Sequence, residues 1–208
     1  MIKQKSFIYK FDNKINEQNF FVNQTNLYAF NALINHNSMC SFLYGPKKSG
    51  KTYLGKIWLK KNNAIQLNYN YEYFLNNNIN ILIDDLLLFD EEKIFHIVNK
   101  CILNNLKILI TSGIKINETK FKFIDLSSRL KTFTNLEIRQ PNDEMLLAIL
   151  TKLLIDKQFI INTNDIFEYI LRRVDRSYQG IHEIVNKLDV LSLEKKRQLT
   201  IPLIKEII

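Results

Sequence analysis

The residues best equipped for chemistry stand in one stretch, Gly45-Pro46-Lys47-Lys48-Ser49-Gly50-Lys51-Thr52. It has the spacing G-x-x-x-x-G-K-[ST] of a phosphate-binding loop. Gly45 and Gly50 let the backbone curl so that successive N–H groups point inward. That nest, with a helix N-terminus behind it, attracts phosphate. Lys51 is placed to reach β- and γ-phosphate oxygens, and the Thr52 hydroxyl to sit on Mg²⁺. An apolar run ending at Tyr44 reads as a buried strand, and Tyr53 to Trp58 as the helix that follows. This context separates the motif from a Gly/Lys-rich turn.

Further along, the strand-like run Ile79 to Ile83 ends in Asp84-Asp85. Acids at the tip of a parallel strand sit at the sheet edge where ligands bind. Asp84 is expected to hold Mg²⁺ through water, and Asp85 to orient or polarise an attacking water. The next strand, Lys107 to Ile110, ends in Thr111-Ser112-Gly113. In the same sheet Thr111 becomes a polar sensor beside the γ-phosphate. Asp125-Leu126-Ser127-Ser128-Arg129-Leu130 puts Arg129 at the far end of a short helix capped by Asp125. That Arg lies outside the pocket and is placed to reach a neighbouring molecule's nucleotide.

These residues need a scaffold, and 208 residues supply one. A chain of this size buries roughly 70–75% of its unfolded surface. Strands at Ser41–Tyr44, Ala64–Leu67, Ile79–Ile83, Lys107–Ile110 and Leu136–Arg139 alternate with helices. One helix opens at Asn23 with Leu27, Phe30 and Ile34 on its apolar face, another follows the loop, and a third is capped by Asp90. Asn68 to Asn78 reads as a short aromatic, Asn-rich connection. After Pro141 helices alone follow: one capped by Asn142 or Asp143, one from Asn164, one from Ser177, and a last one capped by Thr200. The pattern predicts an α/β fold with a five-stranded parallel sheet covered on both faces, then a small all-α lid. The expected divisions are an arm at 1–18, a nucleotide-binding part at 19–141 and a lid at 142–208.

The net charge is +8. It suits an anionic partner, yet the wealth of Lys, Asn and Ile is also the residue bias of an AT-rich genome. The two cysteines and three histidines show no metal spacing. The N-terminus lacks the apolar stretch of a signal peptide, and no run has membrane-span length, so the expected compartment is the cytoplasm with no membrane partner.

The assembled motifs resemble the AAA+ ATPases, P-loop nucleotidases, of the DnaA replication-initiator group. The resemblance is strongest to the Hda type (HdaA in alphaproteobacteria), truncated DnaA relatives that inactivate DnaA. It covers nearly the whole chain and rests on Phe20-Phe21-Val22 with Asn26 and Ala29, the phosphate loop, Ile83-Asp84-Asp85, Leu109 to Ser112, Ser128-Arg129-Leu130 and the ending Thr200 to Ile207. It implies that Phe20 and Val22 lie against the adenine of ATP or ADP, with Mg²⁺. It implies that Arg129 is an arginine finger acting in trans on ATP-bound DnaA, and that Gln4, Phe7 and Tyr9 belong to a sliding-clamp-binding peptide. DNA contact is then indirect, through the clamp, and a homo-oligomer is left open.

Three features set the chain apart from the initiator itself. The chain is expected to stop after the lid, eleven residues between the second and third strands to leave no room for extra DNA-gripping helices, and the arm before Phe20 to be too short for a folded domain. One departure concerns the lid. The family's lid Arg, near the start of the third lid helix, falls on Gln179 here, with Arg176 close by. Hydrolysis in cis is therefore expected to be weak, and the chain to act as an activator of a partner's ATPase. The alternatives are an autonomous ATPase such as a helicase loader of the DnaC type, and a nucleotide-locked adaptor without trans-activation.

Overall fold

The computed structural model describes residues 17–36, 38–68, 71–161 and 165–208. Five strands alternate with helices: α1 (Leu27–Ile34), β1 (Cys40–Tyr44), α2 (Lys51–Lys61), β2 (Ile65–Gln66), α3 (Tyr71–Asn76), β3 (Ile81–Ile83), α4 (Glu91–Leu103), β4 (Ile108–Ser112), α5 (Ile124–Leu130) and β5 (Thr134–Glu137). Four helices complete the chain: α6 (Asp143–Asp156), α7 (Asp165–Leu171), α8 (Tyr178–Lys195) and α9 (Ile201–Ile204). The sheet order is β2-β3-β4-β1-β5, and every pairing is parallel.

Side chains alternate across each strand. Phe42, Ile81, Ile83, Ile108 and Ile110 pack under α4 and α5, against Ile94, Ile97, Val98, Leu126 and Leu130. Leu43, Leu82, Leu109 and Leu136 face the other way, onto Leu54, Ile57 and Trp58 of α2 and Ala29 and Leu33 of α1. Both faces are thus dry, as the continuous apolar runs of a parallel sheet require. A third cluster joins Leu146, Leu150 and Leu154 of α6 to Ile166 and Ile170 of α7, Ile181, Val185 and Leu188 of α8, and Ile204 of α9.

Helix starts follow their caps. Asp90 accepts from Lys93 N, Asn142 from Met145 N, Ser177 from Gly180 N and Thr200 from Leu203 N. Asp125 does not cap α5. The Glu91 carboxylate takes the amides of Lys122 and Phe123 at 3.2 and 2.8 Å, so the helix begins earlier, with Phe123 at the N-cap and Asp125 in its first turn. Helix α1 likewise starts later than Asn23. That residue's Oδ1 accepts from Thr25 N at 2.9 Å and Thr25 Oγ1 at 2.7 Å, holding a turn instead of a helix. Leu27 is exposed, and α1 buries Ala29, Ala32, Leu33 and Ile34. The Asn-rich connection carries α3, whose Phe74 is fully buried. Among the described residues no helix is long and apolar enough to cross a membrane. The arm with Gln4, Phe7 and Tyr9 lies outside the described residues.

Candidate functional site

Strand register brings the motifs together. Tyr44 pairs with Ser112 and Leu43 with Thr111, while Ile83 pairs with Ile110. Asp84 therefore emerges level with Thr111, beside the loop that leaves β1. The Thr111 hydroxyl donates to Asp84 Oδ1 at 2.8 Å and accepts from Asp85 N at 2.8 Å. Thr52 Oγ1 donates to the same Asp84 oxygen at 3.2 Å. One carboxylate oxygen thus gathers the first turn of α2 and the end of β4. Asp85 has φ 68° and is exposed. Ser112 is buried, and its Oγ accepts from Ile114 N at 3.2 Å, a turn contact that leaves Thr111 as the hydroxyl facing the acids.

The loop itself is tightly seated. A Cβ on Gly45 would stand 2.5 Å from the Ile138 carbonyl oxygen. Gly50 has φ 92°, and a Cβ there would lie 3.0 Å from the Phe20 ring. Lys51 Nζ donates to the carbonyls of Gly45 and Pro46 at 2.8 and 2.7 Å. Burial pushes its pKa down, with Asp85 and Asp84 acting in the opposite direction. Lys48 stands at φ 65°, where side-chain-bearing residues are uncommon. The result is a curl of backbone and cations suited to polyphosphate.

Beside the loop lies a cleft of about 550 Å³. Phe20, Asn26, Lys48, Ser49, Gly50 and Tyr53 line it from the sheet side, and Met145, Ile149, Lys152, Tyr178 and His182 from α6 and α8. Phe20 stacks between Phe30 at 5.8 Å and Tyr53 at 6.0 Å. Asn26 is 3% exposed and fixes the entrance by donating to Phe21 O and accepting from Asn23 N, each at 2.9 Å. Val22 is half-buried and is not part of the lining. Gln179 also lies off the lining, and its Nε2 donates to Glu183 at 2.6 Å. Arg176 is ion-paired with Asp143.

Several lining residues had no motif to announce them. Lys152 Nζ donates to Asn19 O at 2.7 Å and lies 5.4 Å over the Tyr53 ring. Tyr178 donates to Arg139 O at 3.2 Å and ties α8 to the end of the sheet. Asn142, off the lining and already expected as a cap, both caps α6 and accepts from Asn23 Nδ2 at 2.9 Å. The helical spacing of Tyr178 and His182 was the one signal available.

Arg129 sits elsewhere. It lies on α5, on the sheet face opposite the cleft, exposed, with its guanidinium 5.6 Å over the Phe95 ring. Phe95 is itself edge-on to Phe123 at 5.0 Å. Among the described residues the guanidinium has no hydrogen bond and no carboxylate partner.

Comparison with known proteins follows the same lines. The family described as "Hda, lid domain" matches residues 143–208. The chromosomal replication initiator protein DnaA of Buchnera aphidicola subsp. Baizongia pistaciae is 28% identical over 88% of this chain and 48% of its own length. Domain III of the Thermotoga maritima replication initiation protein DnaA superposes with TM-score 0.77 at 18% identity, covering 96% of this chain and 99% of that one. The chain is similar to DnaA, with the fold of DnaA domain III, and its residues 143–208 match the Hda lid. AMPPCP-bound DnaA from Aquifex aeolicus is also similar in fold, with TM-score 0.65 at 16% identity over 86% of this chain and 68% of that one. This chain spans about half the length of the curated relatives it matches, 48% and 52%.

Proposed function

We propose that this protein binds an adenine nucleotide in the cleft and regulates replication initiation by promoting hydrolysis of DnaA-bound ATP. In this reading Gly45 to Thr52 cradle the phosphates of ATP or ADP, and Phe20 lies against the base. Thr52 and Asp84 are hard oxygen donors sharing one hydrogen bond at 3.2 Å, a set that fits Mg²⁺. When bound, that ion neutralises phosphate charge. Asp85 and Thr111 orient water at the phosphate end of the cleft.

The observation that carries the regulatory half is Arg129: exposed, without a polar partner among the described residues, and on the face away from the cleft. A guanidinium there is available to another molecule's nucleotide and not to its own. Its planar, permanent charge can stabilise charge spreading over γ-phosphate oxygens. The arm at 1–18, with Gln4, Phe7 and Tyr9, would dock on the sliding clamp and so bring the protein to DNA-bound DnaA.

The test is single-turnover hydrolysis by DnaA·ATP with clamp-loaded DNA. An arginine finger is worth about 10³–10⁵ in rate. Arg129→Ala is expected to keep the fold and ADP affinity and lose the stimulation, with Lys rescuing poorly. Undiminished stimulation by Arg129→Ala would move the reading to a nucleotide-locked adaptor. Lys51→Ala is expected to abolish ADP binding in calorimetry, and wild-type affinity in that variant would refute the phosphate-loop assignment.

A further inference from the structure

The α8 wall of the cleft carries a histidine without a role in the reading above. His182 lines the cleft together with Lys48, Ser49 and Gly50. Among the described residues its ring nitrogens make no hydrogen bond. Lys48, with a left-handed backbone at φ 65°, lines the same cleft as His182. Ser49, 6% exposed, has a buried hydroxyl with no partner among the described residues. Three other cationic groups are engaged elsewhere: Lys51 with its own loop, Lys152 with Asn19 O, and Arg176 with Asp143.

We propose that His182, acting with Lys48, is a phosphate ligand of this cleft and takes up a proton when the nucleotide binds. The inference rests on the nucleotide-binding half of the function proposed above. In the free protein, burial first and the Lys48 charge second push the His182 pKa below the ordinary imidazole range. The ring is therefore neutral near pH 7. The other titratable groups lining the cleft are Lys152 and Asp156 of α6, Tyr53 of α2 and Tyr178 of α8. A diphosphate brings several negative charges into the same space, offsets Lys48 and favours the imidazolium. The bound pKa is then the higher of the two. Affinity rises as pH falls through the window between them and levels off below the free-protein value. The histidine supplies from α8 the cation that Gln179, paired with Glu183, does not.

The experiment is calorimetry of ADP binding to wild type and His182→Gln from pH 6 to pH 8, in buffers of different ionisation enthalpy. The Gln substitution subtracts protons exchanged by ADP itself. As pH falls from 8 to 6 the affinity of wild type is expected to rise more than that of His182→Gln, by up to about tenfold for a one-unit shift, with net proton uptake. Adenosine, which has no phosphate, is expected to show no such difference. In wild type, the midpoint of the His182 ring protons in an NMR titration should move upward by about one unit with ADP, with His36 and His96 as internal references. The NMR arm does not depend on a variant that folds. An ADP-insensitive His182 midpoint, equal pH slopes in the two proteins, or the same shift with adenosine would overturn the histidine's role and leave the nucleotide cleft intact. Failure of wild type to bind ADP at all would overturn both.

Discussion

Thr111→Val changes almost no volume and removes a single hydroxyl. That hydroxyl donates to Asp84 Oδ1 and accepts from Asp85 N, both at 2.8 Å, on a residue 1% exposed. A hydrogen bond to a charged group contributes about 1.5–3 kcal/mol, and a neutral one about 0.5–1.5 kcal/mol. Asp84 is half-buried and Asp85 exposed, so water replaces part of what is lost. The net expectation is about 2 kcal/mol of stability. For a domain of this size that is a drop in Tm of about 4–8 °C. Thermal unfolding followed by circular dichroism reads it directly. Thr111→Ser keeps the donor and should recover most of the loss. In calorimetry Thr111→Val should also weaken ADP binding more in Mg²⁺ than in its absence, because the Asp84 carboxylate is then held only by the longer bond from Thr52, at 3.2 Å. A Tm within about 1 °C of wild type, well inside that expected drop, and an unchanged response to Mg²⁺ would show that Thr111 neither braces nor orients the acid.

Other substitutions probe the joint and the loop. Tyr178→Phe removes the bond to Arg139 O and should lower stability by about 1 kcal/mol, read from urea midpoints. Asn142→Ala loses the α6 cap and its tie to Asn23; a cap is worth about 0.5–2 kcal/mol, and protease nicking near residue 142 should accelerate. Gly45→Ala drives a methyl to 2.5 Å from the Ile138 carbonyl, so the soluble yield or Tm should fall more than for Gly113→Ala, which meets nothing within 4 Å. Burial pushes the Cys101 thiol up to about 12, so a thiol reagent at mildly alkaline pH should modify it only after denaturant is added.

The parts of the site legible in the sequence are those whose chemistry sits at the end of a strand. Gly45 to Thr52, Asp84 and Thr111 each follow a short apolar run, and a parallel sheet sends all such ends to one edge. Register then does what spacing alone could not, setting Asp84 level with Thr111. The cleft wall was not legible, because Lys152, Tyr178 and His182 meet the loop only through packing of α6 and α8. Alignment by motif favoured Gln179, but helix geometry turns that side chain toward Glu183 and puts His182 on the cleft. Asp125 read as a cap because local propensity cannot foresee Glu91, distant in sequence, claiming the amides ahead of it.

The opposed positions of Arg129 and the cleft give the molecule a direction. A contact that sets this guanidinium against another subunit's cleft is heterologous, since the two surfaces involved differ. Such a contact does not close into a two-fold dimer. It leaves an empty cleft at one end of any row and an unused arginine at the other. Under the function proposed above, a molecule joined to a DnaA assembly through Arg129 would occupy one end only, and its effect would scale with the number of assembly ends and not with the number of DnaA subunits.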